Sequence, residues 1–270
     1  MRAGLGAGRL AMAVAITVAT VVPAWAEALA QTPVRPTAAM DDRWHFNIAP
    51  YFWMPGVQGD VGVANLPPVS VDASFSDILE NFDGGILARF EARRNRFGLG
   101  ADFVWMNLGA TAVDTQLVAL SVDFRQFVAE GIGFYRVASG GRADNPAHLD
   151  VLAGVRYFTS RTRLKGETTG GAAYDTAFQD LDWVDALAGF KFRVPLGSKL
   201  SLLGRTDIAG FGSNLTWNLE GDLAFLASQH WTIGAGWRYM DIDYDAGEGI
   251  ERRQLDAAYS GPRVWFAYSW

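Results

Sequence analysis

The chain reads as an all-β protein, an antiparallel up-and-down transmembrane β-barrel of about ten strands. Three observations predict this. Apolar and polar residues alternate with a period of two over stretches of about 9–11 residues, the length a tilted strand needs to cross hydrocarbon. Aromatic residues are abundant, with 17 Phe, 10 Trp and 8 Tyr among 270 residues. Beyond the first 26 residues no run of about 18 apolar residues is present, so no transmembrane helix is expected.

Met1 to Ala26 has the layout of a secretory signal. Arg2 and Arg9 charge its start, Leu10 to Val22 form an apolar stretch, and Ala24-Trp25-Ala26 supplies a small-residue cleavage site. Ala28-Leu29-Ala30 offers a second site, so cleavage after Ala26 and after Ala30 both stand, and a retained signal anchor is the alternative. Residues 27–42 are Pro- and Ala-rich, without periodicity, and read as a flexible lead-in to a barrel over 43–270. There is no cysteine, so an exported fold would hold without disulfides. The formal charge is −6, and becomes −8 once Arg2 and Arg9 are removed, which argues against a nucleic-acid partner.

Strands are expected near 43–54, 84–94, 97–108, 115–136, 149–164, 178–195, 199–211, 214–228, 231–244 and 254–270; eight or twelve are also compatible with the pattern. In the fifth, Leu149, Val151, Ala153, Val155 and Tyr157 alternate with Asp150, Leu152, Gly154, Arg156 and Phe158. In the ninth, Trp231, Ile233, Ala235, Trp237 and Tyr239 alternate with Thr232, Gly234, Gly236 and Arg238. The strand at 115–136 is the least regular: Gln126 and Glu130 break the face set by Val118, Leu120, Val122 and Phe124, and a bulge is expected near Gln126. Short connections at 93–96, 195–199 and 228–230, with a longer one at 139–148, would face the periplasm. Long connections at 54–84 and 164–180 would face outward. Within the first of these, Ser76 to Phe82 carries a short helix signal with Ser76 as its cap, either packed on the rim or folded as a lid.

The last strand places Val264, Phe266, Tyr268 and Trp270 on one face. This ending resembles the C-terminal aromatic signal of outer-membrane barrels, which implies the barrel-assembly machinery and periplasmic chaperones as partners during biogenesis, and outer-membrane lipid and lipopolysaccharide afterwards. A second resemblance lies in Trp44-His45-Phe46-Asn47-Ile48-Ala49-Pro50-Tyr51-Phe52-Trp53, and in Val71 to Asp83 leading into Phe90-Glu91-Ala92-Arg93 and Phe97 to Asp102. These stretches are similar to small outer-membrane barrel proteins of Gram-negative-type bacteria, with the opacity-type surface antigens as the nearest named group. The resemblance covers residues 43–108 and implies a barrel and an outer-membrane address. It implies no reaction.

No catalytic, cofactor or metal site is expected. The three histidines, His45, His148 and His230, all fall at periplasmic ends. Asp241, Asp243, Asp245 and Glu248 lack the glycine and terminal glutamate of an EF-hand loop and read as a solvated acidic loop. By parity the lumen holds Arg89, Arg125, Arg156, Lys191, Arg193, Arg205, Arg238 and Arg263, against Glu91, Asp102, Asp123, Asp185, Asp207, Glu220 and Asp222, with Glu130 undecided because of the expected bulge. Near-balanced signs favour ion pairs filling the lumen, since a selective pore favours a ring of one sign. The expectation is a structural or surface-interaction barrel. A narrow diffusion channel is the alternative, and a barrel enzyme ranks behind both. Pro50 and Pro262, on the strands that close the barrel, are expected at similar heights and to weaken that seam.

Overall fold

The computed structural model describes residues 42–63, 68–114, 118–142, 145–168 and 173–270. The expected signal, and the lead-in up to Asp41, lie outside them. Among the described residues twelve strands form one antiparallel sheet. They are β1 (His45–Trp53), β2 (Gly56–Val63), β3 (Val69–Ala73), β4 (Phe82–Arg94), β5 (Phe97–Asp114), β6 (Val118–Arg142), β7 (Asn145–Thr168), β8 (Ala173–Pro195), β9 (Leu200–Gly210), β10 (Leu215–Leu226), β11 (Trp231–Ala246) and β12 (Arg253–Ser269). β1 pairs with both β4 and β12, so β1 and β4 to β12 close a ten-strand barrel. At its lower end Phe46 and Trp270 exchange backbone hydrogen bonds of 2.9 and 3.0 Å, and their rings stack at 5.5 Å.

Alternation sorts the side chains. Ile48, Phe90, Leu99, Phe103, Val155, Ile208, Leu219, Leu223, Ile233 and Val264 are exposed on the outside. Trp44, Phe97, Tyr135, Trp231 and Trp270 ring the belt on the side of the short turns, and Phe52, Trp105, Tyr157 and Trp237 ring it on the other. Such an apolar band between two aromatic girdles is the exterior a lipid bilayer requires. Short turns mark the periplasmic end. They join β4 to β5, β6 to β7, β8 to β9 and β10 to β11. Asn95, in the first of them, adopts φ 56°, a left-handed conformation that asparagine tolerates.

The expected outward loop at 54–84 is instead structured. β2 continues β1 beyond Met54 and Pro55: β12 pairs with β1 through residues 263–269 and with β2 through 253–260 in one register. β3 then folds back on β2. A short helix, α1 (Phe75–Glu80), leads into β4. Its cap is Ser74, not Ser76: the Ser74 hydroxyl accepts from the Asp77 amide at 3.2 Å, and the Asp77 carboxylate accepts the Ser74 amide at 2.8 Å. The Ser74 hydroxyl, donating to the Asp77 carboxylate at 2.6 Å, and the Ser74 amide hold that carboxyl below its ordinary value. Phe82, expected on the helix, begins β4. The second expected long loop is also mostly strand, because β7 runs to Thr168 and β8 starts at Ala173.

The expected bulge at Gln126 is absent. Residues 121–135 of β6 pair with residues 97–111 of β5 without interruption, and the β6 irregularity lies between Arg136 and Ala138. Parity is therefore conserved through the segment. Gln126 and Glu130 point inward and are buried, while Arg125 is exposed and Asp123 shares its outward face. Asp123 and Arg125 are thus not lumen residues.

The seam carries two interruptions. The β1–β12 ladder lapses between Ile48–Tyr268 and Tyr51–Trp265, where Pro50 lies in β1. The second falls at Met54 and Pro55. Pro262 meets the Met54 amide, which reaches its carbonyl at 3.4 Å. The two prolines therefore sit at different heights along the seam. The lost rungs follow from proline's missing donor.

Candidate functional site

The lumen is stacked in three levels. The middle one is ionic. Five guanidiniums (Arg89, Arg156, Arg205, Arg238, Arg263) meet five carboxylates (Asp102, Glu130, Asp207, Glu220, Asp222), and all but the part-exposed Arg89 are buried. Arg89 bridges Asp102 at 2.5 Å and Glu220 at 2.9 Å. Arg263 joins Glu220 at 2.9 Å and pairs with Asp222. Arg156 reaches Glu130 at 2.8 Å and Asp207 at 2.5 Å, and Arg205 bridges the same two at 2.6 and 2.9 Å. Arg238 links the two groups, lying 3.5 Å from Glu220 and 3.9 Å from Glu130 and donating to Asn218 at 3.0 Å. The Tyr51 hydroxyl donates to Asp102 at 2.8 Å. Every barrel strand except β8 contributes. Buried charges of this kind persist only where each has a partner, and the guanidinium's planar fork suits two carboxylates at once. Gly236 makes room for the layer, since a Cβ there would meet the Asp222 carboxylate at 2.3 Å.

Above it, on the outer side, the lumen is apolar. Trp53, Val104, Met106, Val128, Phe158, Leu181, Trp183, Met240, Ile242 and Tyr259 belong to one buried cluster. Phe158, Trp183 and Tyr244 stack in series at 4.2 and 4.3 Å. The Arg238 guanidinium lies over the Trp53 ring at 4.7 Å, joining the two levels. On β1, β5, β6, β7, β11 and β12 these residues share inward parity with the ionic ones, one or two rungs away, while β8 supplies Leu181 and Trp183 to the apolar level.

Below, facing the short turns, the lumen opens into a cup of about 790 Å³ whose floor includes Arg89, Arg205, Glu220 and Arg263. Lys191 pairs with Glu91 at 2.5 Å. Asp150 is wholly buried and is held by Arg93 and, at 3.2 Å, by Arg136. Phe134 lies beneath Lys191 at 3.6 Å and Arg93 at 4.6 Å, in space left by Gly98, where a Cβ would clash with its ring at 2.2 Å.

Two residues read from parity as members of an ion-pair network have other roles. Asp185 is inward and fully buried, yet its partners are neutral: it accepts the Trp183 indole N–H at 2.9 Å, the amides of Gly212 and Ser213 at 2.9 and 2.7 Å, and the Ser213 hydroxyl at 2.8 Å. It clamps the β9–β10 turn from inside. In that turn Phe211 holds φ 92° with its side chain 97% exposed. Arg193 donates to Asn145 Oδ1 at 2.8 Å and to the Pro146 carbonyl at 3.4 Å, both neutral acceptors. Sequence reasoning had no signal for Tyr51 and Asn218 as polar bridges, or for Arg93, Arg136 and Asp150 as one cluster. These depend on contacts across the lumen.

His45 and His148 lie at the periplasmic starts of β1 and β7, and His230 sits in the β10–β11 turn, where its Nδ1 lies 2.9 Å from the Ser269 carbonyl. At the outer end Asp245 pairs with Arg252 at 2.6 Å, which lowers its carboxyl pKa. Val264, Phe266 and Trp270 are exposed on the lipid-facing side, and Tyr268 packs against Trp231 at 4.9 Å.

No family model and no curated protein matches the chain. Solved structures do. The outer-membrane protease OmpT of Escherichia coli superposes with a TM-score of 0.52 at 6% identity, covering 87% of this chain and 99% of that one. The translocator domain of the autotransporter NalP from Neisseria meningitidis gives 0.39 at 14% identity over 96% and 97%. The attachment invasion locus protein Ail of Yersinia pestis gives 0.35 at 11% over 84% and 99%. The first shows a shared barrel fold. With the lipid-facing belt, it makes this chain an outer-membrane β-barrel.

Proposed function

We propose that this barrel has a structural or surface-interaction role in the outer membrane, with no reaction of its own and with a lumen closed by its own side chains. The observation that carries this reading is the balanced five-by-five ionic layer, roofed by the Trp53–Phe158–Trp183 cluster. A conducting pore favours one sign at its constriction and a wetted path. A ten-strand barrel is only slightly wider than the eight-strand size that side chains fill. In this reading lipid and lipopolysaccharide surround the belt, strands extended beyond it present the outer surface, and the assembly machinery reads Val264, Phe266, Tyr268 and Trp270.

Planar-bilayer recording on the purified protein tests it. The expected result is no steady conductance, with Arg205→Ala or Asp207→Ala producing a leak or loss of the folded barrel. Large, stable, ion-selective channels from the unmutated protein would overturn the reading in favour of a narrow diffusion channel.

A further inference from the structure

The barrel wall is lowest at one hairpin. β9 and β10 have 11 and 12 residues, against 23 in β8 and 16 in β11 beside them. A tilted strand crosses hydrocarbon in about 9–11 residues, so the turn joining β9 to β10 lies at the outer edge of the bilayer. Trp217 on β10 stacks on Tyr239 at 4.7 Å, and the Tyr239 hydroxyl donates to Asp241 at 2.9 Å, an aromatic pair with a polar tip of the kind that sits at the headgroup level. The turn is fastened on both flanks. Asp185 of β8 accepts the Gly212 and Ser213 amides from within. Gly212 lies so close to β8 that a Cβ there would meet the Val184 carbonyl oxygen at 2.4 Å. On the β11 side, Asn214 donates its amide to the Asp243 carbonyl and its side chain to the Asp243 carboxylate, both at 3.0 Å. What the fastened turn displays is Phe211. It holds φ 92°, a conformation that a bulky residue keeps only where its surroundings enforce it, and its side chain is almost wholly exposed. Next to it Val184, Ile208 and Leu215 are exposed on the lipid-facing side, so the ring prolongs an apolar face that already meets lipid. The exposed carboxylates on the flanking strands, Asp182 and Asp243, suit an acyl chain as its neighbour and not a phosphate.

We propose that Phe211 is a rigid apolar anchor, inserted among the acyl chains of the outer leaflet at the low point of the barrel wall, and that Asp185 is the residue that positions it. The anchor fixes how deep the short side of the barrel sits, while the taller strands on either side stand clear of the membrane. It rests on the outer-membrane placement of the chain and not on a closed lumen, so channel recordings leave it untouched.

The chain has no cysteine, so a nitroxide can be attached at one chosen position at a time. Full barrels carrying Phe211→Cys, Ile208→Cys or Ile250→Cys are labelled, reconstituted in phosphatidylcholine vesicles and probed by power-saturation electron paramagnetic resonance. Oxygen concentrates among acyl chains, and a polar nickel chelate stays in water. Ile208 is the lipid-facing reference, and Ile250, exposed in the β11–β12 turn, is the aqueous one. The label at 211 is expected to behave as at 208, keeping its collisions with oxygen and losing those with the chelate. Adding Asp185→Ala should restore chelate collisions and mobility at 211 and leave the label at 208 unchanged, with a heat-modifiable gel shift reporting that the variant is folded. Chelate collisions at 211 as frequent as at 250 overturn the anchor and leave the lipid-facing belt intact. The same result at 208 overturns the membrane placement along with it. An unchanged label at 211 in the folded Asp185→Ala variant overturns the positioning role.

Discussion

Two regions of the lumen use the same residue types to opposite ends. In the middle layer arginines and carboxylates match in number, are buried save for Arg89, and bind one another across nearly every strand. In the cup below, arginines and lysines outnumber carboxylates and line open space. The chemistry of a guanidinium is the same in both. What differs is whether a partner and the exclusion of water are built in. Parity of charge in a closed space holds a fold together, whereas charge beside a void contributes less to it.

The largest effect should come from removing a hub of the layer. Glu220 accepts from Arg89 and Arg263 and faces Arg238. Glu220→Ala would take one carboxylate from Arg89, Arg263 and Arg238, leaving five guanidiniums to four carboxylates, and should cost about 3–5 kcal/mol, the usual penalty for breaking a buried pair. Urea unfolding in detergent, followed by tryptophan fluorescence, reads this. A loss below about 1 kcal/mol, the range of exposed pairs, would show that water already reaches the layer and would erase the contrast with the cup.

A smaller effect is expected at Asp185, which is as buried as the layer but bonded only to neutral donors. Asp185→Ala leaves the Gly212 and Ser213 amides and the Ser213 hydroxyl without that acceptor, at about 1–3 kcal/mol for buried polar groups. It should also make the strained turn at Phe211 the first site cut by added protease. Cleavage elsewhere first would mean that the turn holds its conformation without the clamp.

The smallest effect belongs to the cup. Arg193→Gln removes a charge that makes no ion pair with a described residue, and should change stability by no more than about 0.5 kcal/mol in the same unfolding assay. A large loss there would merge the two regions into one structural network.

Much of this was legible in the chain. Alternation in the segment around Arg205 and Asp207, and in that around Glu220 and Asp222, assigns one face to the lumen without any structure, because a strand's side chains point to opposite sides with period two. The same rule misled at Asp123 and Arg125. A polar Gln126 on a seemingly apolar face suggested a slipped register, whereas the ladder runs through unbroken and that polar residue is itself inward. The 54–84 segment hid a strand continuation, because Met54 and Pro55 read as an end where the partner strand β12 carries the register on.

By itself, then, the sequence determines the class of fold, the lipid-facing face and the set of charges available to the interior, since each follows from local periodicity and composition. Only the tertiary structure decides which charges meet. Arg156 lies opposite Glu130 in one ladder and Asp185 in the other, but bonds Glu130 and the more distant Asp207 and not Asp185, and Arg89 reaches Glu220 across the lumen. Closing the barrel brings strands distant in sequence within one side chain's reach, and long arginines select partners by that distance and not by position along the chain.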